Sequence, residues 1–193
     1  MGPNSEHERQ FPPEFIRTRK DCTMIGTIKS LRELFEIELR YAYDCERKLA
    51  NKGIPSMIEN ANSPELQSAL QQHLRETQGH VTRLERIFSS LGVAPDTKGN
   101  DVIDEIISAA KDSVSNIEAS PLRDAALIVN GNQVEHYEIA LYGSMAAFAR
   151  NLGLQDVAGI LEETLNDEKK ADAKLTQIGE SVMNARAART QTA

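Results

Sequence analysis

The chain has 193 residues, 40% of them hydrophobic and only 5% aromatic, with no Trp, a formal net charge of −7 and a pI near 5.2. That is one domain's worth of chain, and a sandwich or barrel would need more aromatic and β-branched residues, so the expected class is all-α. The acidic balance argues against nucleic-acid or membrane-surface roles, and no apolar run approaches the ~20 residues of a membrane span. Cys22 and Cys45 are too few for a disulfide framework, and no secretory h-region opens the chain. Free thiols in a cytoplasmic location are therefore expected.

In chain order, residues 1–26 are polar, interrupted by Pro3, Pro12 and Pro13, and read as a flexible arm. A folded domain is expected over 27–182 and a frayed tail over 183–193. Helix A runs from near Thr27 to about Asn51; Pro55 should end or kink it, with IPSMIEN adding a turn or two. Helix B opens at Ser63-Pro64, an N-cap followed by proline at the first helical position, and stops at Leu91-Gly92. Helix C opens the same way at Ser120-Pro121 and stops near Asn151-Leu-Gly153, and helix D continues to about Glu180. The A–B and C–D connections are short, so each pair forms an antiparallel hairpin. Between B and C lie residues 93–119, far longer than a usual connection, and they carry an amphipathic segment, VIDEIISAAKDSV. Two hairpins joined by a long crossover with its own short helix make a ferritin-like four-helix topology, not a simple up-down bundle.

At about 100° per residue, the apolar stripe of helix B is Leu66, Leu70, Leu74, Val81, Leu84, Ile87, Phe88 and Leu91. His73, Thr77 and His80 fall inside it, and Glu76 at its edge. Helix A reads Leu31, Phe35, Glu38, Ala42, Cys45, Leu49; helix D reads Leu154, Val157, Leu161, Leu165, Glu168, Asp172, Leu175. In helix C, Ala125, Ile128, Asn132, Glu135, His136, Ile139 and Gly143 share a face of mostly small residues. Asp44, Glu46 and Glu138 fall off these stripes and read as flank or solvated positions. Leu127, Leu141 and Phe148 form a second apolar stripe on helix C, expected to cover the crossover or the partner in a homodimer.

Each helix thus turns one carboxylate inward near mid-length, and unpaired buried ions cost several kcal/mol each. Metal cations, protons or paired bases must offset that cost, and a dinuclear metal site does so economically. The candidate ligands are Glu38, Glu76, Glu135 and Glu168, with His80 and Asp172 one turn after Glu76 and Glu168, and His73 three residues before Glu76. His136, beside Glu135, would orient ligands by hydrogen bonding. The alternative is a metal-free network in which histidines and arginines pair the acids.

Four segments carry a family resemblance: LFEIELRYAYDCERKL, LQQHLRETQGHVTRLERIF, RDAALIVNGNQVEHYEIALYG and LEETLNDEKKADAKL. From about Thr27 to Glu180 the chain resembles the YciE/YciF branch of the ferritin-like superfamily. The resemblance implies a dimeric ferritin-like bundle linked to stress responses, with ferroxidase-like activity. The superfamily's Glu-x-x-His spacing is missing, however: Gly79 and Ala171 stand three residues after Glu76 and Glu168. A donor set this rich in oxygen suits two Fe ions, with Mn as the alternative. Three functions are therefore open. One is Fe(II) oxidation by oxygen or peroxide at a di-iron centre, with no catalytic residue separate from the ligands. The others are manganese catalase-like peroxide dismutation, and a non-catalytic structural role around an acidic core.

Overall fold

The computed structural model describes residues 27–189. The expected arm at 1–26, Cys22 and residues 190–193 lie outside the described residues. Helix α1 (Leu31–Lys48) begins at Ser30, whose hydroxyl accepts from the Glu33 N–H, and so starts later than Thr27. Pro55 does not end it. A π-helical stretch, Leu49–Gly53, leads directly into α2 (Ile54–Asn60), with Pro55 in its first turn. The widened turn, closed by the Ile54 N–H on the Leu49 carbonyl, puts the proline in the first turn of the next helix, where a missing N–H is tolerated.

Helices α3 (Pro64–Ser90) and α5 (Pro121–Asn151) start where their Ser-Pro pairs place them. Ser63 caps the Leu66 N–H and Ser120 the Arg123 N–H. The crossover carries α4 (Asp101–Ser115), capped by Asn100. Gly92 and Gly153, at φ of 66° and 75°, terminate α3 and α5 in the left-handed conformation that glycine adopts without strain. Helix α6 (Gln155–Ile178) continues through a second π-helical stretch, Gly179–Met183, into α7 (Asn184–Arg189). The tail expected to fray from residue 183 is therefore helical to Arg189, because Met183 and Ala187 are buried.

Side-chain pairs between helices fix the directions. Tyr43 bonds Glu85 and Glu46 faces His80, so α1 and α3 are antiparallel. Arg83 meets Asp167 while Leu66 and Leu70 share a cluster with Leu175 and Ile178, so α3 and α6 are antiparallel. Phe35 clusters with Ala149, and Leu49 with Leu127 and Val134, so α1 and α5 are antiparallel too. Helices α3 and α5 consequently run the same way, and both begin at one end of the bundle. There the buried Asp124 carboxylate accepts from the Asn62 and Ser63 N–H groups at 2.7 and 3.0 Å. Residues 91–120 must span the bundle's length to connect them, which is why the crossover is long.

The core splits into two apolar clusters. One holds Phe35, Leu39, Leu84, Phe88, Tyr142, Met145 and Leu161; the other holds Leu49, Ile54, Leu66, Leu70, Ile103, Leu127 and Leu175. Where the two clusters meet, every long helix carries buried polar residues: Glu46, His73, Thr77, His80, Glu135, Glu138 and Glu168. Helix α5 is exposed only along a narrow line through Val129, Gln133, His136, Ala140 and Ser144. Leu127 and Leu141 are accordingly buried within the chain, Leu127 in one cluster with Ile103 and Val114 of the crossover, and Phe148 packs on the other cluster. Of the two coverings expected for this stripe, the crossover is the one found over Leu127, and Leu141 is buried within the chain.

Candidate metal centre

Between the two apolar clusters, two groups of buried donors meet at one residue. Glu46, His80 and Glu168 form the first, and His73, Glu135 and Glu168 the second; within each group one ligand atom per residue lies within 4.8 Å of the others. Helix α1 supplies Glu46, α3 both histidines, α5 Glu135 and α6 the shared Glu168. Seven residues separate His73 from His80, two helical turns, so both rings leave α3 on its buried face. Glu168 and Glu46 are wholly inaccessible to solvent, and His80 and Glu135 nearly so.

The contacts are close. His80 Nδ1 lies 3.0 Å from Glu168 and 3.3 Å from Glu46, and His73 Nε2 lies 3.1 Å from Glu135. The Tyr142 hydroxyl donates to Glu46 Oε1 at 2.5 Å, and its ring stands edge-on to His80. Around this centre the charges are strongly perturbed. Burial pushes Glu135 up to about 7, although contact with His73 opposes the rise. Burial also pushes Glu138 well above the carboxylate range, assisted by Glu46, Glu168 and Glu135. For the two histidines burial disfavours charge, but their glutamate partners outweigh it. His80 rises to about 10 through Glu168 and Glu46, and His73 rises well above its usual value through Glu135.

Four of the sequence-predicted ligands, His73, His80, Glu135 and Glu168, are brought together. Three are not. Glu38 is half-buried and belongs to neither group. Glu76 is a third exposed, accepts from Gln72 at 2.8 Å and stands 3.8 Å from His73. Asp172 lies one turn beyond Glu168 and faces the largely exposed His136 at 3.3 Å. The His136 side chain thus pairs with Asp172 and belongs to neither group that the structure brings together.

Two acids read as flank positions, Glu46 and Glu138, are among the most buried residues of the chain. Glu138 receives a hydrogen bond from the free Cys45 thiol at 3.5 Å, and burial raises that thiol's pKa well above the ordinary value. The signal for Glu46 was available: Phe35, Leu39, Ala42 and Leu49 centre the stripe on position 46, whereas Glu38 sits at its margin. For Glu138 no comparable signal existed, because apolar residues surround α5 on nearly every side.

A family model described as a domain of unknown function, DUF892, matches residues 30–188. Protein YciF of Escherichia coli (strain K12) is 32% identical over 161 residues, 83% of this chain and 96% of YciF. The crystal structure of the E. coli stress protein YciF aligns at a TM-score of 0.77, 31% identical, covering 81% of this chain and 99% of that one. YcfI of Rhodopseudomonas palustris, provisionally described as a structural protein, aligns at a TM-score of 0.75. It is 38% identical and covers 77% of this chain and 94% of that one. No helix among the described residues is long and apolar enough to cross a membrane.

Proposed function

The chain belongs to the DUF892 family, and from that premise we propose that it is a ferritin-like di-metal carboxylate protein of the stress response that oxidises Fe(II) with oxygen or peroxide. One observation carries the reading. Ten buried side-chain N or O atoms among the described residues lack a well-aligned hydrogen bond, and seven belong to the two donor groups, two of them, His80 Nδ1 and Glu168 Oε1, standing 3.0 Å apart as an ion pair. The seven are one atom each on Glu46, His73 and Glu135 and two each on His80 and Glu168. Buried polar atoms are ordinarily satisfied, and such a concentration at one point marks a site built for an occupant. The donors suit iron or manganese: carboxylate oxygens predominate, with one imidazole per group and no thiolate.

Glu46, His80 and Glu168 would hold one ion, and His73, Glu135 and Glu168 the other, so that Glu168 neutralises both. Iron bound there supplies the one-electron redox capacity that these side chains lack. In the overall reaction two Fe(II) are oxidised while one peroxide takes up two protons and becomes two waters; four Fe(II) serve one dioxygen. Tyr142 fixes the Glu46 carboxylate, and Glu138 holds its proton in the buried site, adding no further uncompensated charge.

Elemental analysis of protein loaded with Fe or Mn and then desalted tests the assignment. About two ions per chain are expected, with both lost in Glu168→Gln and one in Glu46→Gln, since only Glu168 is shared. Fe(II)-dependent oxygen uptake should fall to the buffer rate in Glu168→Gln. Unchanged metal content in that variant, with native circular dichroism, overturns the site. A second reading has its own support: His73–Glu135 and His80–Glu168 are close enough to act as buried ion pairs without metal. It predicts a structural protein with no bound metal and no oxygen uptake.

A further inference from the structure

Two residues with ligand chemistry, Asp172 and His136, lie outside the core groups yet beside them. Asp172 is four residues after Glu168 on α6, and Asn132 three residues before Glu135 on α5. At those spacings each shares a helix face with its core glutamate, one turn away. His136 Nε2 stands 3.3 Å from Asp172 Oδ1. Along this seam between α5 and α6, exposure rises steadily outward. Glu168 is inaccessible, the Asp172 side chain is 24% exposed and that of His136 71%. Asn132 donates its amide to Thr176, which leaves its own Oδ1 without a donor, and Asp172 Oδ1 has only the poorly aligned His136 contact. Both are buried oxygens that accept and cannot give, and they continue outward the run of unpartnered oxygens on Glu135 and Glu168. An open groove of about 420 Å³, lined by Asn132, His136, Thr176, Glu180 and Asn184 among others, brings solvent to this point.

Resting on the di-metal reading above, we infer that His136, Asp172 and Asn132 form a transit site where a divalent cation is captured from solvent before it passes to the core. An imidazole nitrogen with carboxylate and amide oxygens suits Mn(II) or Fe(II), and the Glu180 carboxylate at the groove adds attraction at the mouth. The seam leads inward: the core glutamates lie a single turn away on the same two helix faces. Elsewhere the apolar clusters close both ends of the site.

A transit site changes rates and leaves the resting occupancy alone. The test follows Mn(II) uptake by metal-free protein through loss of the free-ion electron paramagnetic resonance signal, in the native chain, Asp172→Asn, His136→Ala and the double variant. Loading is expected to slow by about tenfold in the double variant, within the range that local electrostatic focusing commands. Release to excess chelator should slow by the same factor, with two Mn per chain still bound at equilibrium. General loosening of the fold would accelerate release instead. Equal loading rates in all four proteins overturn the inference, and so does loss of bound Mn from the variants, which would make these residues resident ligands. If the native chain takes up no Mn, the di-metal reading itself fails, an outcome distinct from either.

Discussion

Glu135 and His80 hold their protons more tightly in the fold than in an unfolded chain. Burial raises Glu135 to about 7; burial opposes charge on His80, but Glu168 and Glu46 carry it to about 10. Both folded values lie above the ordinary ones, so the stabilisation is fully present below those ordinary values and is lost as pH rises through the folded ones. Metal-free protein is therefore expected to melt at progressively lower temperature from about pH 5 to about pH 10, read by scanning calorimetry. A melting temperature that climbs over that window contradicts the assignment of these two groups. Cations replace those protons, so affinity for Mn(II) should instead increase with pH. The same residues explain why Glu38 and Glu76 are poor candidates: each retains access to water and needs no occupant to be satisfied.

Among the elements, α5 carries the most connections. It packs on α1 and α6, takes the crossover helix on another side, and anchors the start of α3 through Asp124. That carboxylate satisfies two backbone donors, on Asn62 and Ser63, at the corner where α2 turns into α3. Asp124→Ala strands both; an unsatisfied buried donor costs about 1–3 kcal/mol, and with Ser63 buried and Asn62 only partly so, a loss of about 2–4 kcal/mol in urea unfolding is expected. A change within ~0.5 kcal/mol, the range of ordinary surface substitutions, would show that the corner is held otherwise. A helix buried on so many sides has no single apolar stripe, and for that reason the sequence left open whether Leu127 and Leu141 meet the crossover or a second copy.

Taken as a whole molecule, the bundle is two apolar halves joined across a polar waist to which all four long helices contribute. Ions bound at the waist would tie the four helices together, so their removal should lower the stability of the entire fold, not of one segment. Binding at a hundredfold over the dissociation constant adds about 2.7 kcal/mol. Chelator should therefore lower a single cooperative melting transition of Mn-loaded protein by several degrees. A melting curve indifferent to chelator favours the metal-free structural reading.

Length, composition, the two Ser-Pro starts, the two glycine stops and the long stretch between Gly92 and Ser120 determined the all-α class, the four long helices and the crossover with its own helix. These are local signals: a cap, a missing N–H or a positive φ acts within one turn, so the chain displays them without its fold. His73, His80, Glu135 and Glu168 were legible for a related reason, since each stands among apolar neighbours at helical spacing. Tertiary structure alone decided the rest. It rotated α1 so that Glu46 replaced Glu38 at the centre, and it buried Glu138 beside Cys45. It also turned His136 outward to the groove with Asp172 beside it, and it packed the last described turn through Arg189. Those choices depend on which neighbour covers each flank of a helix. A helical stripe gives its own direction only to within a residue or so, and one residue is about 100° of rotation, enough to carry a carboxylate from the waist to the surface.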